Sequence, residues 1–276
     1  MNTVASARSL LFVPGNRPER FTKAAATGAD LVCIDLEDAV PAAERPAARR
    51  AAVDHLRGLA PGHHVGVRIS RLASADGLRD VLALADAAAS PAYVMLAKTE
   101  SAEQIRLLAG YLGNTPLIAL VESARGLQDA AAIAGAHPQL QALMLGGADL
   151  CAELGCEFAW EPLLHARCTL VAAAASAGLG MLDVPWLVVA DVDGLRAETA
   201  RAVALGFTGK ACIHPSQVAA VHAGLQPSDE ALERARRTVA AAGAAGADAA
   251  AVLVDGRLVD RPVVLAAQRL LARAAG

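Results

Sequence analysis

Eight short apolar, β-branched runs alternate with amphipathic stretches along most of this chain, and that alternation restricts its fold more than any other feature. The runs cover 9–13, 31–36, 65–69, 93–97, 117–121, 142–145, 182–189 and 210–213. Between them lie segments with helical periodicity and a charged face, such as 42–59, 101–111 and 163–177. Two others, 76–88 and 191–205, each open on an aspartate placed as an N-cap. Strands alternating with helices imply right-handed βαβ units on a parallel sheet. Eight repeats at this length predict a closed (β/α)8 TIM barrel. An open doubly wound sheet is the competing architecture, but no Gly-x-Gly-x-x-Gly loop follows the first strand.

The pattern changes after residue 225. A helix is expected over 230–242, a Gly/Ala-rich hinge over 240–251, a hairpin over 252–259 around Asp255-Gly256, and a last helix over 262–274. So short a tail cannot bury a core of its own. The expected organisation is a barrel domain, 1–225, and a lid or oligomerisation arm, 226–276.

Composition excludes several functions. Two Trp, two Tyr and four Phe supply few platforms for stacking bases, and a net charge of −3 disfavours a phosphate backbone. No nucleic-acid partner is expected. The most apolar stretch, 170–190, is interrupted by Gly178, Gly180, Asp183 and Pro185, which argues against a membrane span. The five cysteines show neither CxxC nor zinc spacing, and no export signal opens the chain. Reduced thiols in the cytoplasm are the expectation.

Polar residues fall where the predicted strands end: Glu37 and Asp38, Arg68, Lys98, Glu122, Asp149, Asp183 and His214. From Glu37 to His214 they are spaced by 31, 30, 24, 27, 34 and 31 residues, which is the period of the repeat itself. In a barrel the C-terminal strand ends surround one mouth, where active sites form. Charges that merely ended strands would have no reason to prefer one end.

Glu122 and Asp149 end neighbouring strands with no His or Cys near them, a donor set that suits Mg²⁺, or Mn²⁺, better than Zn²⁺. A carboxylate pair balanced by Arg68 and Lys98 is the plain structural alternative. Gly146 and Gly147 suggest close approach of a substrate to the backbone, with Gly147 and Ala148 as the contacts. Arg68 can grip a carboxylate or polarise an oxygen that gains charge. In the Asp35-Leu36-Glu37-Asp38 cluster one acid is expected to buttress Arg68 or a metal-bound water, with Glu37 assigned to the catalytic set, and another to cap a helix. His214, before Pro215, reads as an acid/base or as a loop anchor. The first loop, with Arg17, leads into a helix carrying Arg20 and Lys23, a pattern that suits phosphate or a solvated basic face equally.

Several blocks in order carry a resemblance: 8–15 (RSLLFVPG), 35–40 (DLEDAV), Val67-Arg68-Ile69, Val121-Glu122-Ser123, 146–150 (GGADL), Gly209-Lys210 with Ile213-His214-Pro215, and 254–256 with 259–262 (VDRP). The sequence resembles the citrate lyase β-subunit-like branch of the HpcH/HpaI aldolase superfamily, the CoA-ester lyases. The resemblance implies a TIM barrel, a homotrimer or a hexamer of trimers, and Mg²⁺ held by Glu122 and Asp149. It implies that Arg68 contacts the oxoacid part of a CoA thioester and that Asp260 enters the neighbouring subunit's site as acid/base. Arg17 and Lys23 would face the CoA phosphates. Ser70, where the family usually has Asn, and Ala97, where it commonly has Pro, leave the substrate open among malyl-, citramalyl- and citryl-thioesters.

The expected reaction is retro-aldol (Claisen) cleavage of a 3-hydroxyacyl-CoA to acetyl-CoA and an oxoacid. The rivals are a metal-dependent pyruvate-type aldolase on free hydroxy-oxoacids, a carrier-protein-dependent citrate lyase β subunit, and a thioesterase.

Overall fold

The computed structural model describes residues 4–87, 89–245 and 251–275. The chain separates into two compact units, 1–225 and 226–276.

In the first unit eight parallel strands close in sequence order: β1 (Ser9–Pro14), β2 (Leu31–Asp35), β3 (Val65–Ile69), β4 (Val94–Leu96), β5 (Leu117–Val121), β6 (Leu140–Leu145), β7 (Gly180–Asp183) and β8 (Gly209–Cys212). The last strand pairs with the first, Ser9 opposite Lys210, which completes the predicted barrel. Around it run α1 (Phe21–Ala25), α2 (Arg45–Arg57), α3 (Ala75–Asp86), α4 (Ala102–Leu112), α5 (Ala124–Gln128), α6 (Ala130–Ala134), α7 (Gly147–Leu154), α8 (Leu164–Ala177), α9 (Val192–Leu205) and α10 (Gln217–Leu225).

Side-chain alternation along each strand creates two apolar cores. Leu31 and Cys33 of β2 join Leu10, Tyr93, Met95, Ile118 and Met144 in one cluster inside the barrel. Val32 and Ile34, one residue out of phase, join Val67, Val94, Ile105 and Leu170 between strands and helices. Each fully buried aliphatic side chain contributes about 1.5–3 kcal/mol. The Tyr93 ring lies against Gly66, where a Cβ would come within 2.6 Å of it. Only glycine leaves the ring that space.

Three expectations require correction. Strand β7 ends at Asp183 rather than at 189, because Pro185 has no N–H for the ladder; Leu187, Val188 and Val189 are exposed. Helix α3 is capped by Ser74, which accepts from Gly77 N–H at 3.0 Å, while Asp76 sits inside the first turn and pairs with Arg45. Asp191 does cap α9, accepting from Gly194 N–H at 2.9 Å. The third correction concerns the expected hinge at 240–251. Helical structure continues through Ala245, as alanine's helix propensity favours, and 246–250 lie outside the described residues.

The second unit comprises α11 (Asp229–Ala245), the antiparallel pair β9 (Ala251–Val254) and β10 (Arg257–Asp260), and α12 (Arg261–Ala275). Asp255 and Gly256 turn the hairpin with φ of 51° and 74°, the left-handed geometry that a two-residue turn requires.

Candidate active site

Five strand ends bring their polar residues to one place. Asp35 closes β2 and is followed by Glu37 and Asp38; Arg68 lies near the end of β3; Lys98 follows β4; Glu122 follows β5; Asp149 lies in the first turn of α7, after β6. The C-terminal ends of parallel strands share one mouth, so these groups converge there.

Asp35 anchors the cluster. It is buried and takes both forks of the guanidinium: Arg68 Nε donates to Oδ1 at 2.7 Å and Nη2 to Oδ2 at 2.6 Å. It also accepts from the N–H groups of Glu37 and Ala39, both at 3.0 Å. Arg68 therefore presents its remaining edge, Nη1, to Asp38 at 3.4 Å and Glu37 at 3.6 Å. Its guanidinium carbon lies 5.1 Å from the Phe12 ring centroid. Burial works against the Arg68 charge, but Asp35, Glu37 and Asp38 outweigh it and raise its pKa further.

Lys98 sits at the centre. Its backbone is left-handed, with φ of 51°, a conformation that costs a non-glycine residue about 1–2 kcal/mol. Its N–H donates to Glu122 Oε1 at 2.8 Å. Its ammonium donates to Glu37 Oε1 at 2.7 Å and lies 3.2 Å from Asp149 Oδ2 and 3.5 Å from Asp38 Oδ1.

Gly146 makes room for Glu122, since a Cβ there would fall 2.4 Å from the Glu122 Cβ and 2.5 Å from Oε2. Gly147 has a packing role as well. The space its Cβ would take is filled by Leu163, Val184 and Phe158 of the protein itself, so its lack of a side chain serves packing. Ala148, next to it, is exposed.

Burial pushes Glu122 up to about 8, against the pull of Arg68. Burial and the bond with Asp38 push Glu37 up to about 7, with Lys98 and Arg68 only partly offsetting them. Burial also opposes the charge on Asp38, yet Glu37, Arg68 and Lys98 together hold its pKa down. The two neighbouring acids are thus driven apart, one tending to keep a proton and the other to lose it.

Oxygen atoms of Asp38, Glu122 and Asp149 all lie within 4.8 Å of one another. Asp149 Oδ2 is buried and pairs with the Lys98 ammonium at 3.2 Å. Three carboxylates and no sulfur or imidazole match a hard, oxygen-preferring dication. The residues fit Mg²⁺. Strand-end spacing singles out Glu122 and Asp149 as ligands; Asp38 is one member of a dense acidic run, and the sequence alone does not separate a buttress from a cap there.

The remaining expected residues make other contacts. Asp183 is fully buried and paired with Arg167 of α8 (3.0 Å) and Lys210 of β8 (2.8 Å), on the outer face of the barrel. His214 is exposed and bonds its own turn through Ser216 Oγ at 2.8 Å, which is the loop-anchor role. Ser70 is buried, donating its N–H to Asp80 at 3.0 Å, and belongs to the packing of β3. Arg17, Arg20 and Lys23 are exposed on the segment that follows β1. Asp260 belongs to the second unit, where Oδ1 accepts from Val263 N–H at 3.3 Å at the start of α12. Cavities of 510 and 550 Å³ in the first unit lie around His63 and His64, and around Trp160, Trp186 and Arg201; neither is lined by Asp38, Lys98, Glu122 or Asp149.

A parallel barrel with a carboxylate cup and a fixed guanidinium at its mouth defines an enzyme suited to an oxygen-rich anion and a hard cation. The chain belongs to the HpcH/HpaI aldolase/citrate lyase family, whose pattern matches residues 8–215, and a C–C bond lyase pattern of the TIM-barrel fold matches residues 170–274. It is thus an enzyme of a carbon–carbon lyase family. A citrate lyase subunit β-like protein of Mycobacterium tuberculosis is 43% identical, over 99% of this chain and 98% of that one. A (3S)-malyl-CoA thioesterase of Cereibacter sphaeroides is 35% identical over 97% and 94%, and an L-malyl-CoA/β-methylmalyl-CoA lyase of Rhodobacter capsulatus 33% over 92% and 90%. Among solved structures, CitE of M. tuberculosis in complex with magnesium, acetoacetate and coenzyme A superposes with a TM-score of 0.87 at 42% identity, covering 99% of both chains. Among the described residues, no helix is long and apolar enough to cross a membrane.

Proposed function

We propose that this protein is a cytoplasmic, Mg²⁺-dependent lyase that cleaves a 3-hydroxyacyl-CoA of the malyl, citramalyl or citryl type to acetyl-CoA and an oxoacid. The observation that carries this reading is the cup itself: three converging carboxylates beside an arginine whose orientation is fixed by Asp35. The magnesium and coenzyme A of the CitE complex supply the ligand classes.

Glu122 and Asp149 would hold the metal, with Asp38 within reach. When bound there, Mg²⁺ supplies a Lewis acid for the substrate's hydroxyl and carboxylate oxygens. Glu37, with its pKa near neutrality, takes the hydroxyl proton. Arg68 Nη1 stabilises that oxygen as it becomes a carbonyl. The carbon–carbon bond breaks, and its electron pair passes into the thioester as an enolate. Asp260 of a neighbouring copy returns a proton to that carbon and releases acetyl-CoA. Arg17 and Lys23, on the segment leaving β1, face the CoA phosphates. The second unit would then act as an oligomerisation arm, in a homotrimer or a hexamer.

Glu122→Gln and Asp149→Asn should each abolish turnover while leaving far-UV circular dichroism unchanged, because both lie at the mouth and outside the apolar core. Activity that survives exhaustive chelation, or both substitutions, contradicts the reading. The Cereibacter relative supports a second reading, in which water captures the thioester and CoA is released. Product identity separates the two.

A further inference from the structure

We propose that Lys98 is a positioning residue that tunes the cup's hold on its cation. Its backbone aims Glu122, and its ammonium offsets part of the carboxylate charge, so that the site binds a divalent cation more weakly than its acids alone would. The proposal rests on the metal reading given above.

Three observations point to it. First, Lys98 adopts φ of 51°, and a strained backbone at a site is a sign that something else fixes it. The strain turns its N–H onto Glu122 Oε1 at 2.8 Å. Second, one ammonium approaches Glu37, Asp149 and Asp38, at 2.7, 3.2 and 3.5 Å. Two of those acids belong to the three-carboxylate group. Third, Arg68 spends Nε and Nη2 on Asp35 and reaches Asp38 and Glu37 only through Nη1, at 3.4 and 3.6 Å, whereas the Lys98 ammonium is closer to both Glu37 and Asp149.

A simple structural strut predicts the opposite sign from a charge-setting residue. If Lys98 only held the carboxylates in place, removing it would loosen them and weaken cation binding. If its charge competes with the cation, removing it leaves a more negative cup that binds more tightly. The side chain is 30% exposed, so solvent screens the effect without erasing it.

The test is isothermal titration of the full-length protein with MgCl₂, comparing wild type, Lys98→Met, Lys98→Gly and Glu122→Gln. Lys98→Gly accommodates the left-handed backbone at no steric cost, so it controls for strain in the methionine variant. The folded neutral variants should bind Mg²⁺ on the order of tenfold more tightly than wild type, the effect of losing one partly screened charge a few ångströms away. Unchanged or weaker binding in every folded variant overturns the proposal, as does failure of both to fold, which would assign Lys98 to the scaffold. If wild type binds no Mg²⁺, or Glu122→Gln binds as well as wild type, the metal reading fails and the proposal falls with it. That outcome is distinguishable, because it is read without any Lys98 variant.

Discussion

Asp35 and Arg68 form a two-pronged pair, Nε to Oδ1 at 2.7 Å and Nη2 to Oδ2 at 2.6 Å, with the aspartate buried at the end of β2. The pair links the scaffold to the chemistry. Asp35 removes two of the guanidinium's directions and leaves Nη1 facing the acids of the mouth.

Arg68→Lys keeps the charge and loses the planar fork. Steady-state kinetics should show kcat/KM falling by the equivalent of about 2–4 kcal/mol, the scale of one lost oxyanion donor. Kinetics equal to wild type would make the arginine structural.

Asp35→Asn tests the scaffold side of the same pair. It removes the principal counter-charge of a desolvated guanidinium and leaves only Asp38 and Glu37, at 3.4 and 3.6 Å, so urea unfolding should register a loss of about 3–5 kcal/mol. A loss below about 1 kcal/mol would place the pair among the weak surface bridges instead.

Gly146→Ala tests how the glycine serves Glu122. Its φ of −98° suits alanine, so the obstacle is the 2.4 Å approach to Glu122 rather than the backbone. The variant should stay folded by circular dichroism and lose Mg²⁺ affinity in titration calorimetry. Unchanged affinity would show that Glu122 can move aside without cost.

The pH dependence of stability carries a definite sign. Burial raises Glu122 from an ordinary 4.5 to about 8 and Glu37 to about 7. Between those values the folded chain binds more protons than the unfolded one, so this contribution is present at low pH and is lost as pH rises. Melting of chelator-treated protein from pH 5 to 8 should therefore decline less steeply for Glu122→Gln than for wild type. Parallel profiles would show that Glu122 is not perturbed.

Asp260 tests whether two copies share a site. Asp260→Ala and Glu122→Gln proteins should each be inactive alone. Co-refolded in equal amounts, a cyclic trimer pairs an intact barrel with an intact neighbouring arm in about a quarter of its sites. Activity near that fraction is the expected result. None, with subunit exchange demonstrated, would confine Asp260 to its own chain.

What the sequence reveals, and what it hides, follows from geometry. Strand-end spacing is enough to converge Glu37, Arg68, Lys98, Glu122 and Asp149, because a closed parallel barrel has a single C-terminal mouth. It does not reveal the direction of a side chain. Asp183 follows the same spacing, yet it aligns with Lys210 in the β7–β8 register and both are buried with Arg167 on the outer face. One residue along a strand reverses inside and outside. The β7 run misleads for another reason, since Leu187, Val188 and Val189 are apolar but lie beyond Pro185 in an exposed loop. Lys98 shows the limit most clearly. Its position is readable as a strand end, but a left-handed φ, and the bond to Glu122 that follows from it, emerge only from the folded backbone.

The central claim is that a carbon–carbon bond breaks at this cup with a metal present. The direct measurement incubates the purified protein with malyl-, citramalyl- and citryl-CoA, with Mg²⁺ and with chelator, and identifies the products by chromatography and mass spectrometry. Acetyl-CoA together with the matching oxoacid from at least one ester, formed only with Mg²⁺, is the predicted result. Free CoA with the intact hydroxy acid, or equal turnover under chelation, would contradict it.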